Sequence, residues 1–320
     1  MVFLLPSYEK RIRRVCGRTQ RFSLPAAWGG VYICIRNSQL SYKCSGAACP
    51  PRQQSVVNMV SKSHDMFGLP DCTFFVSIDD VPMCLTDQGR SELHMNNGIT
   101  FNTHYTELSN IIAFPCFAFD VWPEVHTEYV EFYQQMMDLS TQPEWQWSAR
   151  NPKLFWAGSI TNHPFRKTFY DAWSPNTDLF DLRKVTWNEG VCSNFTALNE
   201  IVKFKRTLDI EGSGYSARLK YLFLSGSTVC YADRPYINEF YMGEFESGKD
   251  YITVPKSMTN VLNLFDADQE ETMADIARSG FEKATSVLHP QNILYNISEG
   301  IKLIYQLTKK NIMIGQHYTL

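Results

Sequence analysis

The chain reads as an α/β protein in two halves, and three observations carry that reading. The second half alternates strand-like apolar runs with helical patterns, which implies a parallel sheet covered on both faces. The first half has apolar, β-branched runs of its own, and one of them, Thr73–Ile78, ends in two carboxylates, Asp79 and Asp80. Between the halves, residues 141–152 (TQPEWQWSARNP) have the prolines, polar residues and tryptophans of a linker.

Taken in order, the first element is a hairpin. Residues 30–44 alternate apolar and polar and break at Asn37-Ser38. The pair Pro50-Pro51 ends it, and a helix over 54–66 follows, with Val56, Val57, Met59 and Val60 as its buried stripe. The strand 73–78 comes next. Ile111–Phe119 is a further apolar run in which Pro115 marks an edge or a break. Residues 126–139 read as a helix rich in aromatics and methionine. These observations place domains at 1–145 and 146–290, with a closing helix over 291–320 packing back across them. In the second half, strand 153–157 leads through a polar loop to a helix at Pro164–Trp173, with proline at a favoured first position. Strands over 179–187, 204–210, 228–231 and 250–255 follow. Helices are expected over 215–224, 236–244, 258–266, 270–288 and 290–309.

Bulk properties narrow the function. The chain has 320 residues, a formal net charge of −3 and 44% hydrophobic residues, enough for two ordinary domains. Near-neutral charge argues against nucleic acid as the main partner. No apolar run approaches the roughly 20 residues that span a bilayer. The start, MVFLLPSYEKRIRR, places its basic cluster after its apolar residues, the reverse of a secretory signal. A cytoplasmic location is expected for the chain as written, or the ER or Golgi lumen if a native start is missing. Nine cysteines are present. None forms C-x-x-C and none has histidine at ligand spacing, so structural zinc is not expected. Cys44 and Cys49 can pair in an oxidising compartment.

The most informative stretch is Leu208–Tyr231, a strand, a turn with Gly212 and Gly214, a helix and a second strand. Glycines let backbone approach a ligand, and a helix start favours an anion. Arg218 and Lys220 near a helix start are cations where the dipole prefers acids. A bound diphosphate resolves this; an ordinary strand–helix turn with solvated cations is the plainer alternative. Ligands of open parallel sheets sit at the carboxyl ends of strands. That joins three sets of residues: Asp79 and Asp80; Gly158, Ser159, Thr161, Asn162 and Arg166; and the Leu208–Tyr231 corner. Asp80 or its neighbour can act as a general base, or the pair can hold Mg²⁺ or Mn²⁺; a turn aspartate before Pro82 is the alternative. Thr161 or Asn162 can instead cap the following helix. Glu239 can accept from ribose hydroxyls or belong to a solvated helix face. No histidine pairs at catalytic or metal spacing; His163 alone lies in a candidate loop. Asn194-Phe195-Thr196 and Asn296-Ile297-Ser298 are sequons, which occur often by chance.

Several segments together resemble glycosyltransferase family 90, the protein O-glucosyltransferase, Rumi-type and capsule-associated xylosyltransferase group. They are VYICIRNSQLSY, FFVSIDDVP, FPCFAFD, WQWSARNPKLFWAGSITNHPFRK, GSGYSARLKYLFLSGSTVCY, NEFYMGEF and DYITVPKSMTNVLNL, in the family's order over about 31–284. The resemblance implies a GT-B-like fold, two Rossmann-like domains facing across a cleft. It implies inverting transfer of glucose or xylose from UDP-glucose or UDP-xylose to a glycan or glycoprotein hydroxyl, with no cofactor or metal required. Asp80 matches the catalytic aspartate. Gly158, Ser159, Thr161 and Arg166 match the donor loop, and Gly214, Ser216 and Arg218 the second diphosphate segment. Ala157, Ile160 and Ala217 depart from the family's usual residues and leave the donor sugar open. A virus-encoded or truncated form would explain the missing signal. A metal-dependent transferase using Asp79 and Asp80, or a non-catalytic nucleotide- or glycan-binding homologue, are the rival readings.

Overall fold

A computed structural model describes residues 2–19, 29–45, 50–78, 99–103, 105, 110–161, 163–188, 191–194, 196–212, 214–234 and 239–308. The chain divides into two compact units. One comprises Met1–Pro123, Pro235–Glu244 and His289–Leu320; the other comprises Glu124–Arg234 and Phe245–Leu288.

The first unit opens with helix α1 (Pro6–Arg18), which the sequence reading passed over. Its buried stripe, Tyr8, Ile12, Val15 and Cys16, has the 3–4 spacing of an amphipathic helix. Arg11 lies within that stripe, and its Nε and Nη2 both donate to Ile111 O. Strands β1 (Gly30–Arg36) and β2 (Gln39–Ser45) form the expected hairpin. Asn37 and Ser38 both have positive φ, the geometry of a two-residue hairpin turn. Helix α2 (Pro50–Phe67) begins at the proline pair rather than after it, because proline fits a first helical turn. Strands β3 (Cys72–Ser77), β4 (Thr100–Asn102) and β5 (Ile111–Ala113) complete a sheet ordered β2-β1-β3-β4-β5. It is mixed, not all-parallel: β1 runs against both neighbours, while β3, β4 and β5 are parallel. The apolar run 111–119 breaks near Pro115, and Phe117–Phe119 is a 3₁₀ turn.

The first α-helix of the second unit is α3 (Tyr129–Leu139). Residues 143–145 and 147–149 of the expected linker form 3₁₀ turns within this unit. The centre is a five-stranded sheet. We number its strands β6 (Asn151–Gly158), β7 (Phe180–Lys184), β8 (Phe204–Asp209), β9 (Thr228–Ala232) and β10 (Ile252–Val254). Its order is β10-β9-β8-β6-β7 and every pairing is parallel. The chain passes from β6 out to the edge at β7, then returns to the other side of β6 at β8. The strand order therefore reverses between β6 and β8, and ligand crevices of doubly wound sheets lie at that reversal.

Helix α4 (Pro164–Trp173) follows β6. Its N-cap is His163, whose Nδ1 accepts from Phe165 N at 3.2 Å. Helix α5 spans only Leu219–Leu224, shorter than the expected 215–224, because Tyr215 to Arg218 are spent on a turn. The helix-dipole argument for an anion at this corner therefore weakens. Helix α6 (Glu270–Val287) packs on β9 and α5. The core of the unit includes Leu154, Trp156, Phe169, Leu208, Ile210, Cys230, Val254 and Met273. Expected helices over 236–244 and 258–266 are replaced, in their described parts, by 3₁₀ turns at Met242–Glu244 and Val261–Phe265.

The last helix, α7 (Pro290–Leu307), belongs to the first unit and packs on α1 and α2. Its asparagines hold the chain start: Phe3 N donates to Asn292 Oδ1 and Leu5 N to Asn296 Oδ1, both at 2.9 Å, while Asn296 Nδ2 donates to Phe3 O at 3.0 Å. The Asn296 sequon is thereby buried, whereas Asn194 is exposed.

Candidate functional site

The carboxyl ends of β6 and β8 meet at the reversal point, and two glycines make the approach possible. A Cβ at Gly158 would lie 2.9 Å from Cζ2 of the buried Trp156 and 3.3 Å from Arg218 Nη2. Arg218 can thus lie against the end of β6, where its Nη1 donates to Ala157 O. A Cβ at Gly212 would lie 3.1 Å from Tyr215 O, which accepts from Gly212 N and closes the turn after β8.

Three guanidiniums gather here. Arg166, on α4, is buried and donates to three backbone carbonyls: Nε to Glu211 O and Nη2 to Ile210 O at 2.8 Å, and Nη1 to Ser159 O at 3.3 Å. It therefore ties the loop after β6 to the end of β8. Arg218 is half-buried. Arg234, just past β9, is buried over the Tyr231 ring, 4.2 Å from its centroid. Its Nη2 donates to Asp209, whose other carboxylate oxygen accepts from Ser216 Oγ. Glu211 accepts from Lys256 Nζ at 2.7 Å, and His163 Nε2 lies 3.8 Å from the same oxygen. Each of the strands β6, β8, β9 and β10 thus sends a charged group from the segment after it into one cluster.

The electrostatics favour an anion. Three guanidiniums and the Lys256 ammonium stand against two carboxylates, Asp209 and Glu211. Burial pushes Arg166 down to about 9; the charge of Arg218 pushes the same way, and Asp209 partly offsets it. Burial also lowers Arg218. Arg234 is also pushed down by burial, yet Asp209 and Tyr231 outweigh that and leave it above the ordinary arginine range. Cations held at such cost are the ones an oxyanion relieves most.

The family model for glycosyl transferase family 90 matches residues 42–298, most of the chain. The chain belongs to glycosyl transferase family 90. Human protein O-glucosyltransferase 3 is 27% identical over 96 residues, an alignment covering 29% of this chain and 19% of that protein. The resemblance drawn from the sequence motifs is the same family. Among the described residues, no helix is long and apolar enough to cross a membrane.

The family 90 chain brings together Gly158, Ser159, Arg166, Ser216 and Arg218. Gly214 is buried in the turn that precedes Ser216. Thr161 is exposed; its Oγ1 lies 2.8 Å from Ser159 Oγ, and its amide donates to that oxygen at 3.3 Å. The hydroxyls here shape the loop, and His163, not Thr161, caps α4. Asn162, Asp79 and Asp80 lie outside the described residues. Glu239 belongs to the first unit, is buried, and accepts from Tyr241 OH at 3.0 Å, so it is no solvated helix face. Among the described residues, no group of three or more His, Cys, Asp or Glu is placed to hold a metal. Sequence reasoning missed Asp209, Glu211, Arg234 and Lys256. The run Asp209-Ile210-Glu211-Gly212 was their signal: two acids closing an apolar strand need buried partners.

Proposed function

We propose that this family 90 chain is an inverting glycosyltransferase that moves a glucosyl or xylosyl unit from a UDP-sugar to a hydroxyl of a protein-linked or glycan acceptor. The positively charged cluster at the β6/β8 reversal carries the reading. It offers guanidiniums where a parallel sheet binds ligands, beside glycines that admit a diphosphate closely. The named human relative favours glucose and a protein acceptor as the first choices to test.

Within the GT-B arrangement that the resemblance implies, Asp80 takes the proton of the acceptor hydroxyl. The freed oxygen attacks the anomeric carbon opposite the diphosphate, and the bond from that carbon to the diphosphate oxygen breaks. Negative charge grows on the departing UDP, where Arg218, backed by Arg166, stabilises it electrostatically. Ser159, Ser216 and the Gly212–Gly214 turn contribute the close polar surroundings, and Glu239 is the candidate for a ribose hydroxyl. Guanidiniums in this role replace the divalent cation that other nucleotide-sugar enzymes use.

The test is UDP release from UDP-glucose and UDP-xylose with a panel of acceptors, in excess EDTA, for wild type and Asp80→Asn. The variant should bind donor as wild type does and release no UDP. Turnover by Asp80→Asn refutes the base, and activity abolished by EDTA favours a metal held by Asp79 and Asp80. A wild-type protein that neither binds nor turns over any UDP-sugar removes the donor reading.

A further inference from the structure

The cations of the cluster are mostly spent on the protein itself. Arg166 gives Nε, Nη1 and Nη2 to the carbonyls of Glu211, Ser159 and Ile210. Arg234 is paired with Asp209 and Glu211, and Lys256 with Glu211. Arg218 gives Nη1 to Ala157 O. Its Nη2 is the nearest polar atom to the space that Gly158 leaves, 3.3 Å from where a Cβ would stand. A diphosphate carries more charge than this one edge of a guanidinium answers.

Strand β7 brings one more cation to the same place. It lies at the edge of the sheet, parallel to β6, and its last residue, Lys184, pairs in register with Gly158. Val185 N donates to Gly158 O at 2.9 Å and fixes the strand end against that glycine. Partners across a parallel ladder project to the same face, and neighbouring strands stand about 4.8 Å apart. The Lys184 side chain therefore starts beside the space over Gly158, on the face where Arg218 Nη2 lies. Arg183 projects to the other face, where Asp181 accepts from it at 2.9 Å and the Phe155 and Phe204 rings lie against it. Lys184 is exposed and makes no hydrogen bond or ion pair with another described residue.

A lysine on an edge strand can serve merely to discourage pairing with another sheet. The place of Lys184 favours more than that. It stands at the carboxyl end of its strand, opposite a glycine that leaves room beside a guanidinium, and its flexible four-carbon stem reaches that room. We propose that Lys184 is a further donor-binding residue, whose ammonium swings over Gly158 and pairs with a phosphate oxygen of the sugar nucleotide beside Arg218 Nη2. This rests on the donor site described under Proposed function and adds to it a cation that no sequence motif marked.

The experiment measures binding by wild type, Lys184→Met, Lys184→Arg and Lys203→Met. UDP, UMP and UDP-glucose are titrated by calorimetry, and uridine by ligand-observed NMR. Lys203, exposed and just before the start of β8, controls for the loss of one charge at the other end of the sheet. Lys184→Met should weaken UDP and UDP-glucose roughly fivefold to tenfold, with uridine affinity and Tm unchanged. Lys184→Arg should stay within about twofold of wild type, because it keeps the charge. A loss shared by UMP assigns the phosphate next to the ribose, and a loss confined to UDP and UDP-glucose assigns the outer one. Lys184→Gln carries the same comparison should the methionine variant melt early. UDP binding by Lys184→Met within about twofold of wild type overturns the proposal. So does an equal loss for uridine, or an equal loss in Lys203→Met, which would reduce the effect to the general field of the protein. Each of those leaves the donor site standing. A wild-type protein that binds neither UDP nor UDP-glucose overturns both.

Discussion

Replacing Asp209 with asparagine should test the charged cluster most directly. Asp209 is fully buried and uses both carboxylate oxygens, one for Ser216 Oγ and one for Arg234 Nη2. The change keeps the shape and one acceptor but removes the charge. Arg234 is then left with Glu211 at 3.7 Å as its nearest counter-ion. Removing one partner of a buried ion pair costs about 3–5 kcal/mol, and the retained acceptor and Glu211 place this case near 3. For a unit of this size each kcal/mol lowers Tm by roughly 2–4 °C, so a fall of about 6–12 °C is expected. Urea unfolding followed by tryptophan fluorescence gives the free energy directly. Arg234→Met should cost a similar amount by stranding Asp209. The double variant Asp209→Asn/Arg234→Met should fall short of the sum of the singles by about 1 kcal/mol or more. Stability within about 0.5 kcal/mol of wild type for Asp209→Asn, or strict additivity in the double variant, refutes the buried-pair account.

Three further outcomes follow from the same geometry. His163 and His289 cap their helices through neutral Nδ1, and burial holds each below its ordinary 6.5. The folded state therefore resists protonation: stability is complete above about pH 6.5 and declines as pH falls below it, and His163→Asn should flatten that slope in melts across pH 5–7. Gly226 has φ +68°, and a Cβ there would lie 2.3 Å from Trp145 Cζ2; Gly226→Ala should lose about 2–4 kcal/mol in urea unfolding, whereas a loss under about 1 means the ring moves freely. Arg218→Ala should raise donor KM and slow transfer by roughly a hundredfold with a modest change in Tm, and unchanged kinetics would return the corner to scaffold.

Much of the second unit was legible because its strands are short apolar runs bounded by glycine and proline. Pro164 and Pro290 marked two helix starts at their exact positions, and in both the preceding histidine proved to be the cap. Gly158, Ser159, Arg166 and Arg218 stood out because glycines and cations next to strand ends have few structural uses. What stayed hidden depended on strand order. Asp209 ends β8 and Arg234 follows the neighbouring strand β9, 25 residues apart in sequence, and nothing local says that they pair. The corner helix was drawn too long because Ser216-Ala217-Arg218 continues a helical pattern, while the turn closed by Gly212 and Tyr215 delays its start. The first sheet was expected to be Rossmann-like; its reversed strand β1 follows from the hairpin turn at Asn37-Ser38.

The clasp between Phe3–Leu5 and the asparagines of α7 bears on how the chain is made. Its partners stand 289 to 293 residues apart in sequence. On a ribosome adding about 5–20 residues per second, the first segment waits roughly 15–60 s for the helix that holds it. All residues of the second unit are synthesised within that interval. Within these 320 residues, synthesis order and completion order are thus opposed: Phe3–Leu5 precedes the second unit in sequence and is secured after it. During that wait the apolar stripe of α1 lacks the α7 surface that packs on it.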